Sequence, residues 1–420
     1  MKLALAVVFL LLALSQLPFS KIRSILFGCV FASICSSLFI YPDYEFQGLL
    51  DLFIVLSIPA FFTALVFLLF PKVKCGIKVQ PLLPEGGGGV VNLAYFLILI
   101  GVMGLLYNIL LIYGGVGFIG ESDVSITEYK NAGLAGDYLA QSALSKGSFV
   151  FRFFSLFAWL SLCLCFYYYL QGRILLACML FFVSFNIPML SMTGFSRSGL
   201  FYYVASLLLL FIRYYELFSR KQRLFLTVSI LLALVMVLIV FSFITVSRFD
   251  GYSSWWVYVE SGSDLDVITF SVLYYFGSWI DNTIHILREM EAPLLGGFNG
   301  YLSSMFFALK GLGVEVASKG ELWESYFGYL STQFLGLYLD TIYDAGSLGV
   351  FLVLLVFLLS YVFRRLYVRS LLVDCVFSLF FFQYFIMFFS GNVFSYFFVG
   401  MAFFVSLFVC FLIKAKFFRV

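Results

Sequence analysis

Residues 49–74 read LLDLFIVLSIPAFFTALVFLLFPKVK. From Leu49 to Phe70 the only charge is Asp51, and then Pro71, Lys72 and Lys74 follow at once. A bilayer core is about 30 Å thick and takes about 20 apolar residues as helix. A run of that kind closing on lysines reads as a membrane span with a basic loop at its end. The same reading recurs along the chain, at 3–19, 25–41, 91–113, 149–170, 174–192, 199–217, 224–246, 346–363, 371–389 and 394–413. The fold expected is therefore an all-α, polytopic integral membrane protein with about 11 transmembrane helices.

Composition points the same way. The 420 residues are 63% hydrophobic and only 11% charged, with a mean hydropathy of +1.07. So few charges could not cover a water-soluble protein of this size, whereas lipid requires no polar exterior.

The charges sort by loop. Lys21/Arg23, Lys72/Lys74/Lys78, Arg173, Arg213/Arg220/Lys221/Arg223, Arg364/Arg365/Arg369 and Lys414/Lys416/Arg419 fall in every second loop and make up most of the 25 basic residues. Only Glu85, Glu216 and Asp374 accompany them. Basic loops stay cytoplasmic, which puts the N-terminus outside and the C-terminus inside. Lys2 is the one charge out of pattern. Leu17-Pro18-Phe19-Ser20 is a poor cleavage site, so the first span is expected to be retained. Cys29, Cys35, Cys163, Cys165, Cys178, Cys375 and Cys410 lie in spans and Cys75 in a cytoplasmic loop, so neither a disulfide framework nor a metal site is indicated.

Three regions follow: residues 1–246 with spans 1–8 and an external loop near 114–148, residues 247–345 as a large external loop between spans 8 and 9, and residues 346–420 with spans 9–11. A loop that long is functional or disordered, and this one is too aromatic and too free of charge blocks for disorder. The cytoplasmic stretch 71–90 holds Gly86-Gly87-Gly88-Gly89 without a following GK[ST], and so reads as a linker. No nucleotide fingerprint occurs, and neither a cofactor nor nucleic acid is expected as a partner.

Within the long loop, residues 268–289 have helical periodicity. Tyr274, Ser278, Asp281, His285 and Arg288 share one stripe, and Phe276, Ile280, Thr283 and Leu287 form another that is mostly apolar. The pattern suits a helix on, or dipping into, the membrane surface. Its polar stripe either faces water or lines a cavity for an anionic, hydroxyl-rich ligand.

Three external arginines stand out. Arg197 sits in a tight turn between two spans, Arg248 at the outer end of the eighth span, and Arg288 on the stripe. Guanidinium groups pair bidentately with phosphate, so together they would suit a lipid-linked diphosphate and would stabilise its departure. The plainer roles are snorkelling to lipid phosphate for Arg197, interfacial anchoring for Arg248 and a water-facing stripe for Arg288. His285, the single histidine, has the pKa range of a general base, with Asp281 placed to orient it. Asp250, Asp340 and Asp344 are rival bases. Trp255, Trp256, Trp279 and Trp323 offer either stacking faces for sugar rings, together with Tyr274, or an interfacial belt.

The turn Thr193-Gly194-Phe195-Ser196-Arg197-Ser198-Gly199-Leu200, entering a Leu-rich span, is similar to the "GSR-x-x-Leu" turn of bacterial O-antigen and capsule repeat-unit polymerases of the Wzy type, with one residue inserted. Tyr338-Leu339-Asp340 through Asp344-Ala345-Gly346-Ser347-Leu348-Gly349 resembles that family's entry into its late span. The resemblance implies a glycosyltransferase of the bacterial cytoplasmic membrane. It would move a growing glycan from its undecaprenyl diphosphate to a hydroxyl of the next lipid-linked repeat unit, without nucleotide sugar or metal, alongside a chain-length regulator. Alternatives are a lipid-linked-oligosaccharide flippase, a different polyprenyl-dependent glycosyltransferase using Asp43 or Glu45, and a non-enzymatic assembly partner.

Overall fold

The computed structural model describes residues 1–41, 43, 45–46, 48–70, 88–122, 155–193, 198–249, 265–289, 337–339, 341–342, 354–355, 357–359, 361–362, 371–386 and 397–414. Every described element is helical. In chain order they are α1 (Lys2–Gln16), α2 (Lys21–Ile40), α3 (Leu49–Leu69), α4 (Gly88–Ser122), α5 (Ala158–Leu170), α6 (Ile174–Ser184), α7 (Asn186–Met192), α8 (Ser198–Tyr214), α9 (Arg220–Phe249), α10 (Val267–Glu289), α11 (Leu371–Ile386) and α12 (Phe397–Lys414), with short 3-10 turns at Ser155–Phe157 and Tyr215–Leu217.

Five described segments are long and apolar enough to cross a membrane: Lys21–Ile40, Leu49–Leu69, Val91–Glu121, Ile174–Met192 and Gly199–Leu217. Lys2–Gln16, Ala158–Leu170 and Leu371–Ile386 are shorter apolar helices. Their outward faces are apolar too. Leu3, Val7, Leu10, Leu11 and Leu14 are exposed on α1, and Tyr95, Phe96, Leu99, Leu106 and Leu110 on α4. Helices apolar all round fit a membrane protein. The expected loop at 114–148 lies outside the described residues beyond Ser122, as do most of residues 247–345 and the linker at 71–87.

The chain divides into two compact units. The first comprises Met1–Val73, Glu260–Val368 and Phe380–Gly400, and the second Lys74–Val259, Arg369–Leu379 and Met401–Val420.

In the first unit α1 and α2 form a hairpin. The Ser20 hydroxyl caps α2 by accepting from the Arg23 N–H, and Ser24 Oγ donates to the Ala13 carbonyl at 2.7 Å. Phe62 of α3 is the hub of the core. Its ring meets Phe9 edge-on at 5.9 Å, Trp279 at 6.0 Å and Phe385 at 5.8 Å. In lipid no hydrophobic force separates helix from solvent, so close packing of this kind is what holds the helices together. Pro59 lies inside the continuous helix α3 and has no N–H for the Val55 carbonyl, a loss that membrane helices tolerate when neighbours re-satisfy the backbone.

In the second unit α4 lies against the interrupted helix α6–α7. A Cβ on Gly101 would come 2.5 Å from Val183 Cβ, and one on Gly104 2.8 Å from Asn186 Oδ1, so only glycine permits the approach. At the interruption Asn186 Nδ2 donates to the Gly101 carbonyl (2.6 Å) and the Val183 carbonyl (2.9 Å), while its Oδ1 accepts from Asn108 Nδ2 (3.0 Å). A second buried polar knot joins α8 to α11. Arg213 binds Asp374 through Nε and Nη2, both at 3.1 Å to Oδ2, and Tyr214 Oη donates to the same oxygen at 2.6 Å.

Candidate functional site

Lys2, Asp43, Asp51, Asp281 and Arg288 of the first unit gather where the N-terminal end of α1, the C-terminal end of α2, the α2–α3 connection and the later turns of α10 meet. What lets α10 reach that place is a close approach to α2. A Cβ on Gly277 would fall 2.5 Å from the Ser37 backbone nitrogen, so the two helices touch backbone to backbone. Ser33 bridges them: its hydroxyl donates to the Phe276 carbonyl and accepts from Trp279 Nε1 at 2.7 Å. Small hydroxyl residues facing a glycine are the usual means of drawing membrane helices together.

Further along the same contact, Asp281 divides its carboxylate between two donors. Lys2 Nζ binds Oδ1 at 2.8 Å, and Ser37 Oγ donates to Oδ2. The ammonium also donates to Ser37 Oγ (3.2 Å) and to the Tyr41 carbonyl (3.1 Å). Lys2 is fully buried and Asp281 nearly so, at 0% and 7% exposure. The residue that broke the charge pattern thus has a partner 279 positions away.

Two turns on, Arg288 makes a fork against Asp51 of α3, Nε to Oδ1 at 2.9 Å and Nη2 to Oδ2 at 2.7 Å, and Nη2 donates to the Glu45 carbonyl at 2.8 Å. Asp51 is buried and Arg288 half-buried. His285 lies between these two ion pairs on the same stripe and is half-buried, as is Tyr274, which stacks on Phe270 at 6.0 Å. Asp43 stands at the edge of the group. Slight burial raises its pKa, but hydrogen bonds from the terminal ammonium and from the Lys2 and Leu3 amides outweigh that and leave it below the usual carboxyl value.

The stripe therefore does not simply face water. Ser278 and Asp281 of the stripe are buried, as are Asn282 and Thr283 beside it. Both Asp281 oxygens are occupied by Lys2 and Ser37, so this carboxylate orients the lysine rather than His285. Trp279 is enclosed between Ser33 and Phe62 at 0% exposure, so its ring offers no open face for a sugar. Arg248 belongs to the last turn of α9, in the second unit. Arg197, Asp250, Trp255, Trp256, Trp323, Asp340 and Asp344 lie outside the described residues.

Sequence reasoning passed over Lys2, Ser33, Ser37 and Asp51 as members of this group. Each left a trace: Lys2 as a charge on the wrong side, Asp51 as the lone charge in a span, and the serines as a small-residue face on α2. Among the described residues no group of three or more His, Cys, Asp or Glu could hold a metal ion. Chemically, the group presents two side-chain cations and the terminal ammonium, each already neutralised by a carboxylate, beside a half-buried imidazole. An anionic headgroup could exchange with Asp51 for the Arg288 fork. Comparison with models of known families, with curated proteins and with solved structures gives no match.

Proposed function

We propose that the chain is a membrane glycosyltransferase that polymerises surface polysaccharide, O-antigen or capsule, from repeat units carried on undecaprenyl diphosphate. The observation that supports this most is the gathering of Asp51, Asp281, His285, Arg288 and Lys2 at one end of membrane-length helices. That is the level at which a lipid presents its phosphates. Paired carboxylates and cations suit a site that must take up and release a doubly charged leaving group. In this reading Arg288, Arg197 and Arg248 neutralise the diphosphate, His285 accepts the proton of the attacking hydroxyl, and Tyr274, Trp255 and Trp256 meet the glycan. Asp250 is the rival base.

The finer topology belongs to the same proposal: about eleven spans in the bacterial inner membrane, the N-terminus outside and the C-terminus inside. The loop-by-loop sorting of basic residues supports it. So does the placement of Lys2, Asp43, Glu45, Asp51 and Arg288 at one end of the first unit, since all five fall on the outer side in that topology.

One observation favours a second reading. An ion pair enclosed among membrane helices, such as Lys2–Asp281, is a common feature of transporters, which makes a lipid-linked-oligosaccharide flippase the alternative. Deleting the gene and running the surface polysaccharide on a gel separates the two. Loss of a polymerase leaves cores capped with a single repeat, whereas loss of a flippase removes the caps as well. An unchanged ladder would oppose both.

A further inference from the structure

α10 is the least apolar of the long helices around Phe62, yet it runs deep among them. On α2, Ser33 is the thirteenth of 20 residues, and on α3, Phe62 is the fourteenth of 21. Trp279 touches both, through its indole N–H and its ring. It therefore sits near the middle of two membrane-length helices. The contacts also advance in step, Phe276 and Trp279 with Ser33, then Asp281 with Ser37, then Arg288 with Glu45 and Asp51. So α10 runs beside α2 and in the same direction. Its 23 residues extend about 35 Å at about 1.5 Å each, a length comparable with the hydrocarbon core.

Asp281, whose partners Ser37 and Lys2 stand in the last turn of α2 and the first turn of α1, is thus a buried carboxylate just inside one end of these helices. An unpaired charge there is costly and is met by protonation or by withdrawal of the helix toward the headgroups. The nearest cations along the stripe do not serve: Arg288 is two turns further on and committed to Asp51. Lys2 is the group that reaches it, fully buried and fixed on three sides by Asp281, Ser37 and the Tyr41 carbonyl.

We infer that Lys2 is a positioning residue, the counter-ion that allows α10 to lie at membrane depth and sets the register of the stripe bearing His285 and Arg288. The proposed reaction would depend on that register, but the inference stands on the helix contacts alone and can be tested without product.

The experiment uses the full-length chain in native membranes, with its eight cysteines replaced and a reporter pair introduced at Ser33→Cys and Phe276→Cys. Oxidative cross-linking then reads the α2–α10 register. Lys2→Arg, which keeps the charge, should cross-link as the parent does. Lys2→Met should lower the yield about tenfold or more, or prevent accumulation, because it leaves the carboxylate uncompensated. Adding Asp281→Asn to Lys2→Met removes the stranded charge and should restore yield and accumulation alike. Parental cross-linking in Lys2→Met would overturn the inference, and so would failure of the second substitution to rescue the first. If the cross-links follow the expected pattern while surface polysaccharide is normal in every variant, the polymerase reading fails and the positioning role stands.

Discussion

Arg288 of α10 and Asp51 of α3 face each other through two parallel hydrogen bonds of 2.9 and 2.7 Å, across 237 residues of sequence. The guanidinium fork matches the carboxylate edge to edge, the geometry in which an arginine binds a carboxylate or a phosphate most strongly. Because Asp51 is buried, the pair fixes the end of α10 to the start of α3 and leaves neither charge to the lipid.

Removing one member should therefore cost more than removing both. Arg288→Ala strands Asp51, and a broken buried pair costs about 3–5 kcal/mol. The midpoint of thermal aggregation in detergent should fall sharply for that variant and recover much of its value in Arg288→Gln/Asp51→Asn. Equal midpoints for parent and Arg288→Ala would show that the fork carries no stability.

The α2–α10 contact should be as sensitive to one methyl group. Gly277→Ala places a carbon 2.5 Å from the Ser37 nitrogen, a backbone atom that cannot step aside. Gly28→Ala, on the same helix pair, meets nothing within 4 Å and gains up to about 1 kcal/mol in helix propensity. The first should reduce accumulation of the protein in membranes and the second should not. If both behave alike, the helices are not in contact at Gly277.

These two sites also mark how far the sequence could be read. The strongly apolar runs at 25–41, 49–70 and 174–192 are legible because lipid demands little else of a helix, and helices stand there at Lys21–Ile40, Leu49–Leu69 and Ile174–Met192. The depth of α10 was not legible. Tyr274, Ser278, Asp281, His285 and Arg288 are polar at helical spacing, a pattern that suits a water-facing stripe or a cavity lining alike, whereas here Ser278 and Asp281 are buried. What buries them lies far away in sequence, on Lys2, Ser33 and Ser37. Periodicity reports which residues share a face and is silent on what covers it. The pairing of Lys2 with Asp281 shows the same limit: the charge rule marked Lys2 as an exception and gave no partner for it.

In the second unit, Asp374→Ala should be among the most damaging single changes. It leaves the buried Arg213 guanidinium uncompensated, at about 3–5 kcal/mol, and removes the acceptor of Tyr214. Tyr214→Phe loses only one bond to a charged group, about 1.5–3 kcal/mol. Thermal midpoints should rank parent, Tyr214→Phe, Asp374→Ala in descending order. A reversed order of the two variants would mean that the tyrosine, not the ion pair, holds α8 to α11.

Function makes its own demand on the arginines of the proposed site. Arg197→Ala and Arg248→Ala should leave the protein inserted, by immunoblot of membranes, while the polysaccharide gel shows single-repeat product. In the proposed reaction each would remove a charged partner of the diphosphate, worth about tenfold or more in rate. Normal ladders from both would remove these two residues from the site.

The most direct measurement supplies purified protein in liposomes with undecaprenyl-diphosphate-linked repeat unit and nothing else. The account predicts lipid-linked glycans of two, three and more repeats, with one undecaprenyl diphosphate released for each bond formed. Repeat units that stay single, or that only change leaflet, would contradict it.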